Sequence, residues 1–297
     1  MKQIIILFLA IMLVVACNRN KYDYDASGVF EATEIIVSSQ AVGEILNLNI
    51  EEGSNVEAYT TLGCVDTTQL YLTKMQLESK LKAVNSKSQD IPKQIASTIQ
   101  QIATQKREQV RVSNLIKGGV ANQKQLDDIE AQIAFLEKQL EAQRSSLQNS
   151  NLSIDGESLA LSYQIEEVDD KLKKSRITSP VKGTILTKYT EPGEVTSIGK
   201  PIFKVANLDE MILRAYITSD QLTRVKLNQK VKVFADYKEK ERREYEGALI
   251  WVSDKAEFTP KTIQTRDERA NLVYAIKIEV PNDGMLKIGM YADVIFE

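Results

Sequence analysis

Apolar residues follow two rhythms along this chain, and the change between them divides it. From Ile35 to Val65 they alternate with polar residues at a period of two, the pattern of half-buried strands. From Thr67 to Ser175 they recur at steps of three and four. Leu70, Leu77, Leu81 and Val84 come first, then Leu126, Ile129, Ile133, Leu136, Leu140 and Leu147 with only Gln143 interrupting, then Leu161, Ile165, Val168 and Leu172. That spacing makes a narrow seam, which predicts long helices packed along one another. Alternation then returns and persists to the end. The order strand, helix, strand predicts an elongated α+β chain of several domains.

The two flanks of the helical stretch repeat each other. VGEILNLNIEEG (Val42–Gly53) and KGTILTKYTEPG (Lys182–Gly193) superpose at a constant offset of 140, which carries on to Leu62–Val65 over Ile202–Val205. Each copy has paired glycines, Gly43 and Gly53 in one and Gly183 and Gly193 in the other, where strands turn or backbones approach. Halves of about 30 residues are too small to bury separate cores. Residues 35–66 and 176–208 are therefore expected to pack together as one β-sandwich, split by the insertion of 67–175.

Within the insertion, the sole Gly-Gly pair, Gly118–Gly119, follows Lys117, whose charge suits a helix C-terminus. Asn122, with Gln125 three positions on, suits the start of the next helix. The result is an antiparallel hairpin with its tip near 118–121 and arms of about 51–54 residues, roughly 75–80 Å. Each arm carries a breaking signal: Asp90-Ile91-Pro92 on the way up and SIDGES (Ser153–Ser158) on the way down. Both arms are expected to be discontinuous at that level. After the second half, MILRAYI, KVKVF, YEGALIWV, NLVYAIKIEV and MYADVIF read as five strands. A short helix capped by Thr218 and Gln221 and a left-handed turn at Asn228 lie between the first two. Residues 209–297 thus predict a small antiparallel β-barrel with Trp251 as a core anchor, and 17–34 a tether and first strand region.

Composition narrows the function. There is no histidine, which removes the commonest general base and metal ligand, and no Ser-His-Asp, Cys-His or His-zinc site can be assembled. No catalytic residue, metal site or cofactor is expected. Lys2 precedes twelve apolar residues, Ile4–Val15, too few to span a bilayer but suited to a signal peptide over 1–16. The run ends LVVAC and resembles a bacterial lipobox, which makes Cys17 the expected acylated N-terminus. Cys64 then has no disulfide partner within the mature chain and reads as a small buried residue. Without Lys2 the balance is 37 basic against 41 acidic residues, with no basic patch, so nucleic acid is not an expected partner.

Taken together, the split sandwich, inserted hairpin and trailing barrel resemble the periplasmic membrane fusion (adaptor) proteins of the haemolysin-secretion, HlyD-like, family. The halves are similar to a lipoyl carrier domain cut open at one turn. The most specific stretches are PVKGTILTKYTEPGEVTSIGKPIFKVANLDEM (Pro180–Met211), LKIGMYADV (Leu286–Val294) and WVSDKAEFTPKTIQTRDERANLVYAIKI (Trp251–Ile278). The last is most similar to the adaptors of ABC-type exporters.

The resemblance implies a ring, commonly a hexamer, lipid-anchored through Cys17 on the inner membrane of a Gram-negative bacterium. That ring would link an inner-membrane transporter, ABC type first and RND or MFS type as alternatives, to a TolC-like outer-membrane channel. The family's tip motif falls on Arg111 and Leu115, and on Asn122 where the family has Ser or Thr. Arg111 is also expected to face Asp128 across the hairpin. Lys261, Arg266 and Arg269, in the polar stretch FTPKTIQTRDERANL, are expected to meet the transporter. The chain stops three residues after Val294, so the membrane-proximal domain of multidrug-pump relatives is expected to be missing. Two other classes fit less well. A lipoate or biotin carrier needs a lysine on an exposed turn, and here both halves lead into helices. A structural coiled-coil lipoprotein leaves the repeat unexplained.

Overall fold

The computed structural model describes residues 24–238, 241–258 and 272–296. It opens with β1 (Ala26–Glu31), which does not join the strands that follow it in sequence. The first repeat copy then supplies β2 (Glu34–Ser38), β3 (Gly43–Leu48), β4 (Asn55–Val56) and β5 (Thr61–Val65). The second supplies β6 (Arg176–Thr178), β7 (Gly183–Lys188), β8 (Val195–Thr196) and β9 (Pro201–Ala206). They pair as two four-stranded sheets in the orders β2-β9-β7-β4 and β6-β5-β3-β8. Each sheet takes its central pair from one copy and its edges from the other.

The exchange is reciprocal down to single bonds. Gly53 N–H donates to Ile185 O and Gly193 N–H to Ile45 O, both at 2.8 Å. Ile45 N–H donates to Glu194 O and Ile185 N–H to Ser54 O, both at 2.9 Å. Applying the repeat offset to either bond of a pair yields the other. Gly53 and Gly193 hold φ of +87° and +89°, a left-handed turn that side chains rarely adopt. Gly43 pairs with Thr196 and Gly183 with Val56, again as counterparts. Between the sheets Ile45, Val65, Ile185, Ile202, Phe203 and Val205 are fully buried. Neither copy can close this core alone, because the short strands β4 and β8 pair only with the other copy.

The insertion forms α1 (Thr68–Asn85), α2 (Ile91–Lys117) and α3 (Gln123–Lys174). The ascending arm breaks as expected: the Asp90 side chain accepts from Lys93 N–H and Pro92 sits in the first turn of α2. The descending arm does not. Gly156 lies inside the continuous α3, whose 52 residues span about 78 Å. Glycine costs an exposed helix interior about 1 kcal/mol relative to alanine, but it keeps its N–H, and seam burial on either side outweighs that.

The last unit is a closed barrel in the order β1-β10-β13-β12-β11-β14, with β10 (Glu210–Thr218), β11 (Lys230–Lys238), β12 (Glu241–Phe258), β13 (Leu272–Pro281) and β14 (Tyr291–Phe296). A short α4 (Ser219–Leu222) follows β10, and Asn228 has φ +63° as the turn reading required. The five-stranded expectation is corrected to six. Five strands would leave β10 and β14 as open edges, and β1, distant in sequence, pairs with both. Its Phe30 is fully buried among Met211, Leu213, Leu249, Ile278 and Val294.

Trp251 is not the core anchor. Its side chain is 40% exposed, with the Lys277 ammonium 5.4 Å from its ring centroid. The β12–β13 register shifts between Leu249 and Trp251, and the extra residue Ile250 turns the tryptophan outward. Cys64 is half-buried rather than buried.

Candidate functional site

The hairpin tip is closed by backbone geometry. Gly119 N–H donates to Ile116 O at 2.9 Å and Val120 N–H to Leu115 O at 3.0 Å, the double bond pattern of a Schellman cap. Gly119 at φ +79° supplies the left-handed residue that this cap requires. Asn122, in an extended conformation, then starts α3 by accepting the Gln125 N–H on its side-chain oxygen at 3.1 Å. Any residue that caps as well as asparagine would serve there.

Arg111 does not reach Asp128. Its Nε donates to Glu108 Oε2 at 2.9 Å and its Nη2 to the other carboxylate oxygen, a two-point pair on its own helix. Residues three apart on a helix are neighbours, so this pairing needs no second arm. The hydrogen bond from Arg111 holds the Glu108 carboxyl below its ordinary range, and the carboxylate in turn raises the guanidinium. The pair leaves Arg111 two-thirds exposed. Leu115 is 37% exposed and Val120 76%. The signal for Val120 is in the sequence, since an apolar side chain between a glycine pair and a helix cap has no seam to enter. The tip therefore presents apolar Leu115 and Val120, with an oriented cation one turn below Leu115.

A second cluster lies at one end of the barrel. Asp25 N–H donates to Val294 O at 2.9 Å, and the Asp25 carboxylate accepts the Phe296 N–H at 2.9 Å. The Gln221 amide of α4 donates to the Asp25 carbonyl. On the neighbouring strands β10 ends with Thr218 opposite Val273, and β12 and β13 stay paired out to Phe258 and Leu272. The chain's approach from its N-terminal side, α4 and both strand ends flanking 259–271 thus share one end. At the other end, Glu31, Glu210 and Pro281 adjoin the links to the sandwich. Cys17, Lys261, Arg266 and Arg269 lie outside the described residues, as does the 1–16 segment. No helix among the described residues is long and apolar enough to cross a membrane, and no cluster of metal-ligating side chains occurs among them.

The hairpin and the barrel leave the sandwich at opposite ends of β2. Glu34, at its start, follows the barrel link, whereas Val37–Gln40, at its finish, line a groove with Lys173, Lys174 and Arg176–Thr178 at the hairpin base. This arrangement agrees with a family comparison: the model of the RND MFP (membrane fusion protein) barrel-sandwich hybrid domain matches residues 33–207. The chain belongs to the membrane fusion protein family.

Individual relatives cover different shares of this adaptor-family chain. A UPF0194 membrane protein of Yersinia pseudotuberculosis serotype O:3 (strain YPIII) is 36% identical over 126 residues, 42% of this chain but 38% of that protein's length. Among solved structures, MacA from Actinobacillus actinomycetemcomitans aligns over 91% of this chain and 76% of its own at TM-score 0.53 and 20% identity. A MacA-MexA chimeric protein containing the Pseudomonas aeruginosa MexA α-hairpin domain aligns over 91% and 79% at TM-score 0.52 and 21% identity. At those identities the likeness is one of fold.

Proposed function

We propose that this chain is the adaptor subunit of a tripartite export pump. In this reading the hairpin tip, through Arg111, Leu115 and Asn122, docks an outer-membrane channel of the TolC type. The far end of the barrel meets the inner-membrane transporter through Lys261, Arg266 and Arg269. Cys17 carries the lipid that holds the subunit on the periplasmic face of the inner membrane, and six copies form the ring. The observation that supports this most directly is that hairpin and barrel attach to opposite ends of β2. The end of the barrel away from the sandwich also gathers the N-terminal approach and the strands flanking 259–271. One membrane-side cluster and one remote tip are what a connector between two membranes requires.

An ABC-type transporter is the preferred partner, because Trp251–Ile278 resembles the adaptors of ABC exporters. An RND-type partner is the second reading, favoured by the matching family model's own description. Photo-crosslinkers placed at Leu115 and at Lys261 in growing cells test both. Capture of an outer-membrane channel from Leu115 and of a nucleotide-hydrolysing permease from Lys261 is the expected result. A proton-driven permease at Lys261 would select the second reading. Capture of no other protein at either position would remove the adaptor reading.

A further inference from the structure

The seam of α3 changes phase once. From Leu126 to Leu147 its inward positions alternate three and four: Leu126, Ile129, Ile133, Leu136, Leu140, Gln143 and Leu147. From Asn151 to Leu172 they alternate again, through Ile154, Ser158, Leu161, Ile165 and Val168. Between the two runs a four follows a four, at Gln143, Leu147 and Asn151. Four extra residues in a heptad frame are a stutter, which unwinds a coiled coil locally. Here it lies where the partner changes, with α2 facing the first run and α1 the second.

Polar side chains mark the same place. Asn151 Oδ1 accepts the Gln89 N–H at 2.9 Å, and Asn151 Nδ2 donates to Gln89 O at 2.9 Å. Both backbone groups of a residue in the α1–α2 link are thereby satisfied by one side chain of the unbroken arm. On the tip side, Gln143 Nε2 donates to Gln94 O and its Oε1 accepts from Thr98 Oγ1, both at 3.2 Å. On the base side, Ser158 Oγ donates to Asn85 Oδ1 at 2.5 Å. Three polar positions of one seam thus bond to the opposite arm beyond, at and before the break.

A hairpin with two continuous arms takes its axial register from its turn. The tip turn sets α2 against α3. The β5–β6 pairing at the base, with Val65 N–H donating to Ser175 O at 2.9 Å, sets α1 against α3. Residues 86–90 leave these two settings uncoupled along the ascending arm. A seam of apolar side chains alone discriminates weakly between registers, whereas the half-buried Asn151 amide meets both backbone groups of Gln89 in only one. We infer that Asn151, flanked by Gln143 and Ser158, is a register lock that joins two coiled-coil modules into one rod. Asn151 is accordingly a positioning residue for the tip, a role that rests on the docking reading above.

The test uses the full acylated chain with Cys64→Ser. Spin labels on Lys82→Cys and Gln101→Cys straddle the break, and a control pair on Gln101→Cys and Glu141→Cys stays within the α2–α3 module. Asn151→Leu should broaden the cross-break distance distribution by about twofold, since both register-selecting bonds are gone. The control pair and the helical circular dichroism should not change. Asn151→Asp, which keeps the acceptor and loses the donor, should fall between, and it replaces Asn151→Leu if that variant does not fold. Crosslinking from Leu115 to the channel should fall in the same order. An unbroadened Asn151→Leu distribution would overturn the lock. Broadening with undiminished crosslinking would overturn the positioning role. If the parent chain itself gives no crosslink at Leu115, the docking reading fails, and the distance measurement still decides the lock.

Discussion

The two arms of the hairpin carry breaking signals at nearby levels, yet only one breaks. The ascending arm has Pro92, the descending arm Gly156. Proline has no N–H and clashes with the preceding turn, at about 3 kcal/mol in a helix interior, while glycine costs about 1 kcal/mol. Several seam contacts can absorb the second figure and not the first. The ascending chain therefore restarts its helix with Pro92 in the first turn, where its N–H is not needed. The descending chain runs through. What separates the arms is the size of the penalty, set against the burial available on both sides of it.

Exchanging the signals should exchange the outcomes. Gly156→Pro should break α3 and destabilise the hairpin by about 3 kcal/mol or more, read as a lower urea midpoint in circular dichroism at 222 nm. An unchanged midpoint would show that α3 gains little from continuity. Next in size are the caps. Asp90→Ala and Asn122→Ala should each cost about 1 kcal/mol, and Asn122→Ser close to nothing. A large loss for Asn122→Ser would mean that its amide has work at the tip beyond accepting the Gln125 N–H. Gly156→Ala should raise hairpin stability by up to about 1 kcal/mol. A Cβ added there meets nothing within 4 Å, so no clash offsets the gain.

The same distinction explains which features the sequence disclosed. Signals that act locally were legible: the Asp90 and Asn122 caps, the left-handed Asn228, and the Gly118–Gly119 turn. The offset repeat was legible as well, and it implied a sandwich made from both copies. What could not be read was whatever depends on a partner far along the chain. β1 closes a barrel whose other strands begin almost 180 residues later, and nothing within Ala26–Glu31 names β10 and β14 as its neighbours. Trp251, the chain's single tryptophan, reads as a core anchor, and the bulge that turns it outward shows itself only in pairing with β13. At the tip, Arg111 and Asp128 stand at plausible heights across the turn, yet Glu108 is nearer on the same helix. Asn151 lies in a polar run that reads as surface until Gln89 is placed beside it.

The smallest expected effect on stability falls on Arg111, and it separates tip from stem. Exposed pairs three residues apart contribute little to folding, so Arg111→Ala should leave the urea midpoint of the hairpin unchanged within error. The Glu108 carboxyl should move in a definite direction. Its folded pKa is depressed by the bond from Arg111, so what the pair contributes is present above the unfolded glutamate pKa and fades as pH falls through the folded value. Without Arg111 the Glu108 titration, followed by carboxyl carbon NMR, should return upward toward the ordinary range. Parent and variant should lose any remaining difference in stability in acid below both values. If the tip docks a channel as proposed, crosslinking from Leu115 should nevertheless drop sharply at neutral pH, because the oriented cation is gone while the fold is not. If Arg111→Ala instead lowers the midpoint and spares the crosslink, the pair braces the helix, and docking rests on Leu115 and Val120 without it.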